Sequence, residues 1–301
     1  MTVQNKLDWK NIKDRESIAH FLSAQDNQLI YIKKWHAKSS TKNEKVIFLF
    51  HDLCQHHRRF EALVNWIQEK DHTISFIAMD FVGHGLSSGT RGHFDEFNFL
   101  VKDIFYLLEQ EEKNENQQWF LLAHGLGGLS LLDLVNRYPT QFVEKINGLI
   151  LSNFLIELGQ KPLAKWLSGT FSNLNFASRI RLQKVFEGHE MTSDNDEAIF
   201  FEKDSLVVHR PTWSALDAIR EKTTSVYRDA YFLDWPILVL QSGNDKYLLE
   251  KGMEFFLMGV KKNLLTEKHY SNLKHDLYNE KDKVMVFNDL LEWINTHEKK
   301  S

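Results

Sequence analysis

Five short, almost uninterrupted apolar runs, at 46–50, 74–79, 119–123, 146–151 and 237–240, constrain this chain more than any other feature. Runs of that length without polar alternation suit strands covered on both faces, as in a parallel sheet. Helical periods fall between them: Phe60, Leu63, Val64 and Ile67; then Phe97, Leu100, Val101, Ile104, Leu107 and Leu108; then Val284, Phe287, Leu290, Leu291 and Ile294. Strand and helix in alternation predict an α/β fold built on a doubly wound, mostly parallel sheet. Upstream, two β-rich runs at 18–24 and 29–35 flank Gln25-Asp26-Asn27 and predict an opening hairpin.

At 301 residues the chain suits one elaborated domain. About 80 residues separate the run ending near Ser152 from the one beginning near Pro236, far more than a crossover needs. That segment carries its own apolar patches, Leu163 with Trp166 and Leu167, and Trp213 with Leu216 and Ile219. We expect a helical cap at 153–231 over the C-terminal edge of the sheet, where open α/β sheets bind ligands, and a core formed by 1–152 and 232–301. A packed side subdomain without a ligand role would carry the same patches.

Charge and cysteine usage narrow the partners. Lysine plus arginine count 37 against 41 acidic residues, a formal charge of −4 without runs, so no basic face for nucleic acid is expected. Cys54 is the only cysteine, which excludes an intrachain disulfide and a zinc site of several thiolates. No apolar stretch approaches the roughly 18 residues of a membrane span, and the first residues lack an apolar signal core. A cytoplasmic protein is the expectation.

The run at 119–123 leads through His124-Gly125-Leu126-Gly127-Gly128 into a helical pattern. Strand, sharp turn and helix is the setting of a nucleophile elbow, small-x-Ser-x-Gly, because strand and helix pack too closely for larger side chains. Ala123 and Gly127 fit the small positions, but Gly125 stands where the serine should be. The same glycines approximate a dinucleotide fingerprint. The following strand, however, ends Leu151-Ser152-Asn153 with no carboxylate for a ribose, so no nucleotide cofactor is expected. The segment 51–60, with His51, Asp52, Cys54, His56 and His57, lacks any metal-ligand spacing, and no metal is expected there. It follows the first buried run and enters a helix, the place of a loop that donates a backbone N–H to an oxyanion. A glycine-punctuated loop, Asp80 to Gly92, follows the next run; Asp245 and His275 come later, each in a loop. Nucleophile, acid, histidine is the order of a hydrolytic triad on this fold.

From about Phe50 to Glu280 these segments resemble the monoacylglycerol lipase and lysophospholipase group of the α/β-hydrolase superfamily. That group reads His-Gly-x-Gly-Glu-His-Ser-Gly-Arg-Tyr at the oxyanion loop, Asp-x-x-Gly-His-Gly-x-Ser-x-Gly-x-Arg-Gly after the next strand, and Gly-His-Ser-Met-Gly-Gly at the elbow. Met191-Thr-Ser-Asp194 and Asp204-Ser-Leu206-Val207 echo its cap. The resemblance implies Gly125 at the nucleophile position, Asp245 and His275 as acid and base, the backbone N–H groups of Leu53 and Leu126 as oxyanion donors, no cofactor, and a single-acyl lipid ester as ligand. Asp80 and Arg91 are expected to anchor loops, and His84 and His124 to be packed and hydrogen-bonded.

The departures cut against the implied activity. Gly125 replaces the serine, Asp52 and Cys54 replace two glycines of the oxyanion loop, and Arg58 replaces another. Loss of a triad nucleophile costs on the order of 10⁶-fold in kcat. Asp52 would also set a negative charge against a developing oxyanion. Ser130 lies more than a turn past the elbow, and a buried Cys54 is inert unless its pKa falls. Three readings follow: a disabled hydrolase that still holds a lipid ester; an active serine hydrolase of which this is a Ser-to-Gly version; or an interaction scaffold. Trp166, Phe171, Phe176, Phe200 and Phe201 would permit transient contact of the cap with lipid surfaces.

Overall fold

The computed structural model describes residues 7–25, 28–39, 44–142, 144–154, 180–181 and 184–298. Nine strands form one sheet: β1 (Lys10–Lys13), β2 (Glu16–Leu22), β3 (Leu29–Trp35), β4 (Lys45–Phe50), β5 (Ile74–Met79), β6 (Gln118–His124), β7 (Ile146–Ser152), β8 (Ile237–Ser242) and β9 (Leu265–Tyr270). Their order is β1-β2-β3-β5-β4-β6-β7-β8-β9. The first three pair antiparallel, β3 joins β5 antiparallel, and every pairing from β5 to β9 is parallel. All five apolar runs are strands, and β4, β5, β6 and β7 are buried throughout. The fold class is the one expected.

Helices cover both faces. On one, α1 (Glu61–Lys70) and the C-terminal Lys283–Thr296 helix pack Leu63, Val64, Ile67, Phe287, Leu290 and Trp293 against Ile47, Leu49, Phe120 and Leu122. On the other, α2 (Phe97–Gln110), α3 (Leu126–Arg137) and the Glu250–Gly259 helix join the larger cluster with Phe48, Phe50, Leu121 and Leu151. Two strands escape a reading of the sequence because they lie at the sheet's edges. All of β1 is exposed, and β9 reads Leu-Thr-Glu-Lys-His-Tyr with one buried residue. Edge strands carry charge rather than an apolar run.

The parallel register decides where loops emerge. Phe50 pairs with Ala123, Ala123 with Leu151, and Ser152 with both His124 and Leu240. The chain therefore leaves β4, β6, β7 and β8 along one edge, bringing residues 51–60, Gly125, Asn153 and the Asp245 loop together.

In the segment expected to be a cap, the described residues include helices at Gly188–Met191, Asn195–Lys203 and Trp213–Val226. Leu163, Trp166, Leu167, Phe171 and Phe176 lie outside the described residues. The described part is tied to the loops beneath. Arg91 donates to the carbonyls of Gly85 and Leu206 at 2.8 and 2.7 Å, His56 Nε2 meets Asp204 Oδ2 at 2.9 Å, and Val208 N–H donates to Cys54 O at 2.9 Å. Ile219 is buried in the larger cluster, and Leu216 packs against it. Phe201, expected to be exposed, is fully buried, with Arg59 over its ring; Phe200 stays exposed. Successive residues of a helix point in different directions, and only one of the two turns inward.

Strand and helix approach closely at Gly127, where a Cβ would come within 2.4 Å of Phe50 O. Gly127→Ala should lower unfolding free energy by about 1–3 kcal/mol, read by urea titration, because backbone must move to admit the methyl. Unchanged stability would show that β4 and α3 are not in rigid contact.

Candidate active site

The turn from β6 into α3 places Gly125 at φ 50°, ψ −117°, in the left-handed half of backbone space where glycine has no Cβ penalty. Gly125 N–H donates to Ser152 O at 3.0 Å, and Gly127 N–H to His51 O at 3.1 Å, which pins the turn between β7 and the end of β4. Residue 125 is thus at the tip of a sharp strand-to-helix bend, as the sequence implied.

What faces that tip is a carboxylate. Asp52 accepts a hydrogen bond from Leu126 N–H on Oδ1 at 2.7 Å, and its Oδ2 lies 2.9 Å from His275 Nε2. His275 Nδ1 in turn lies 2.7 Å from Asp245 Oδ2. An ideal Cβ on Gly125 would fall 1.8 Å from Asp52 Oδ1. The Asp52 side chain therefore fills the space that a residue-125 side chain would enter, and holds both the imidazole and the backbone donor that an elbow serine and its oxyanion would use. Asp52, His275 and the Asp245 carboxyl group are all sealed from solvent.

Electrostatics follow from that packing. Burial works against a charge on His275, but the Asp245 and Asp52 carboxylates outweigh it and hold its pKa up at about 10, so both ring nitrogens carry protons near neutrality. Burial also raises Asp245, yet the His275 charge and hydrogen bond bring it below the ordinary value. His124, tilted against His275 with 4.8 Å between ring centres, is driven down by burial and by that neighbouring imidazolium. Phe186 stacks on His275 at 5.8 Å and Tyr247 meets its ring at 5.5 Å in a T-shaped contact.

The loop after β4 holds a non-glycine residue in left-handed backbone space. Cys54 has φ 69°, a left-handed conformation that costs a non-glycine residue on the order of 1 kcal/mol. Its thiol is buried and burial pushes its pKa well up, which leaves it unreactive. Leu53 is buried in the same loop. The other polar residues of 51–60 point to separate partners. His51 donates from Nδ1 to Asp52 O and accepts from Phe81 N–H; His57 engages Asp80 from both its backbone N–H and its ring; His56 reaches Asp204. Ser130 Oγ is spent on Leu126 O inside α3. Asp80 and Arg91 sit in loop-anchoring contacts, and His84 donates to Val82 O.

Three supports have no signature in the sequence. Asn153 (φ 41°) donates to Ser242 Oγ and to His275 O at 2.7 Å each, tying β7 to the histidine loop. Arg59 grips Asp276 beside His275 at 2.8 Å. Glu280 accepts from Lys274 N–H at 2.7 Å. Each joins residues far apart in the chain or closes a loop, which no local pattern announces.

A sequence model described as "Serine aminopeptidase, S33" matches residues 41–282. The chain belongs to this α/β-hydrolase family. Among relatives, YnbC of Escherichia coli is 24% identical over 288 residues, 92% of this chain but only 46% of that protein's length. Rat monoglyceride lipase is 26% identical over 285 residues, 93% of this chain and 90% of its own. A soluble variant of Saccharomyces cerevisiae monoglyceride lipase, solved with a substrate analog, superposes with a TM-score of 0.79 at 19% identity, covering 100% of this chain and 98% of that one. This S33 chain keeps the family's fold while placing a carboxylate at the elbow.

The pKa of His275 has a measurable consequence. A histidine pKa raised from about 6.5 to about 10 contributes stability that is complete below pH 6.5 and lost as pH rises through 10. Proton–nitrogen correlation spectra should show both His275 ring nitrogens protonated at pH 8, and unfolding free energy should fall from pH 7 to 10. Asp52→Asn should flatten that fall. A His275 protonated on one nitrogen at pH 8 would contradict the held ion pair.

Proposed function

We propose that this S33 chain holds a single-acyl lipid ester or related acyl ligand without cleaving it through an acyl-enzyme. The observation that carries this reading is the Asp52 carboxylate seated between Leu126 N–H and His275 Nε2. Acyl transfer needs a hydroxyl at the elbow, a neutral imidazole to accept its proton and a free donor for the oxyanion. Gly125 supplies no hydroxyl, His275 is held in its protonated form by its two carboxylates, and Leu126 N–H is occupied. A missing nucleophile costs about 10⁶-fold in kcat, and a blocked oxyanion donor about 10²- to 10³-fold where it is tested alone. These losses overlap, so the first suffices.

A monoglyceride lipase among the relatives, and a neighbouring structure bound to a substrate analog, support a lipid ester as ligand class. Residues 153–231 act as the cap in this reading, and the exposed Ile199 and Phe200 offer apolar contact to a lipid aggregate. An enzyme that had only exchanged its serine would keep a clear hole above Gly125. Here the hole is filled, which favours the non-hydrolysing reading over that alternative.

The test is a pair of variants assayed with a fluorophosphonate probe and p-nitrophenyl esters. Wild type and Gly125→Ser should both stay unlabelled, the second because its side chain meets Asp52, and Gly125→Ser should also lower Tm. Asp52→Gly combined with Gly125→Ser should be labelled and should hydrolyse ester. Binding of a non-hydrolysable monoacyl ether to wild type, by calorimetry, checks the ligand. Efficient monoacylglycerol hydrolysis by wild type would overturn the proposal, and failure to bind the ether would turn it toward a scaffold.

A further inference from the structure

Asp52, His124 and His275 bring possible ligand atoms together beside the elbow. His124 donates from Nδ1 to Ser152 O and Oγ at 3.0 and 2.9 Å, which leaves a lone pair on Nε2. That atom is buried and has no hydrogen-bond partner. His275 commits Nδ1 to Asp245, and Asp52 commits Oδ1 to Leu126 N–H, so His275 Nε2 and Asp52 Oδ2 face each other at 2.9 Å. One ligand atom from each of Asp52, His124 and His275 lies within 4.8 Å of the other two. We propose that Asp52, His124 and His275 bind a divalent transition metal of the zinc class.

Each donor has its own orienting partner, the arrangement that fixes imidazole tautomers and carboxylate direction in metal centres. Asp245 orients His275, the Ser152 carbonyl and hydroxyl orient His124, and a backbone N–H orients Asp52. Two imidazoles and one carboxylate without thiolate suit zinc, cobalt(II) or iron(II), and three protein ligands leave a fourth position open. Tetrahedral coordination at ~2.1 Å sets ligand atoms roughly 3.4 Å apart. The 2.9 Å His275–Asp52 contact would open by about half an ångström, within the swing of a side chain, as the ion takes the place of the shared proton. The inference goes beyond the ligand-holding reading and stands or falls separately from it.

Chelator-treated full-length protein, titrated with zinc chloride in a calorimeter, should take up one equivalent with a Kd in the micromolar range or below. Cobalt(II) should give the strong visible bands of a four- or five-coordinate ion, and zinc should raise Tm. His124→Gln should weaken binding by at least about 100-fold, and Asp245→Asn, a positioning change, by about 10- to 100-fold. No uptake of either metal by wild type would overturn the proposal, as would undiminished binding in a folded His124→Gln, since other histidines would then be the ligands. Should His124→Gln not fold, Asp245→Asn and the cobalt spectrum of wild type decide: six-coordinate cobalt, or binding unchanged by the Asn, would contradict the site.

Discussion

One carboxylate, shared between a backbone amide at the head of α3 and the imidazole of His275, organises the ligand edge of this molecule. It reaches both because β4 and β6 run parallel in a register that pairs Phe50 with Ala123, so the residue after His51 emerges beside the residue after His124. It fits only because position 125 has no Cβ. The glycine at the elbow and the aspartate in the neighbouring loop therefore depend on each other: a side chain at 125 would clash with the carboxylate, and without the carboxylate the Leu126 amide would lose its partner.

Retention of Asp245 and His275 follows from the same geometry without appeal to catalysis. Removing one partner from a buried ion pair leaves an uncompensated charge and costs about 3–5 kcal/mol. Asp52, His275 and Asp245 form such a chain, each sealed from water. With the carboxylate in place, the histidine and its acid are part of what holds four loops together, through Asn153 to β7 and through Arg59 and Asp276 to the segment just before α1. Asp245, His275 and Asp52 together clamp the strand ends.

Much of this is legible in the residue string. Strands buried on both faces have no polar alternation to hide them, so the central sheet and its flanking helices are readable, as are the bend at Gly125 and the order of Asp245 and His275. The edge strands β1 and β9 are not, because half-solvated strands look like loops. The sequence marks Asp52 as a charge opposing an oxyanion, but that its two oxygens satisfy Leu126 and His275 together depends on a contact across 74 positions and another across 223. Packing of His124 is expected and its burial agrees; its unpartnered Nε2 shows only once Ser152 is seen to hold the other nitrogen. Phe201 defies the expectation of exposure because helical phase, not composition, decides which of two adjacent phenylalanines turns inward.

Whether Asp52 holds the Leu126 amide in place of an oxyanion is tested most directly by the chemical shift of that amide proton in wild type and in Asp52→Gly. A charge-assisted bond of 2.7 Å predicts a strongly downfield resonance in wild type that moves upfield in the variant and returns on addition of acetate. The same shift in both proteins, insensitive to acetate, would contradict that bond and the clamp built on it.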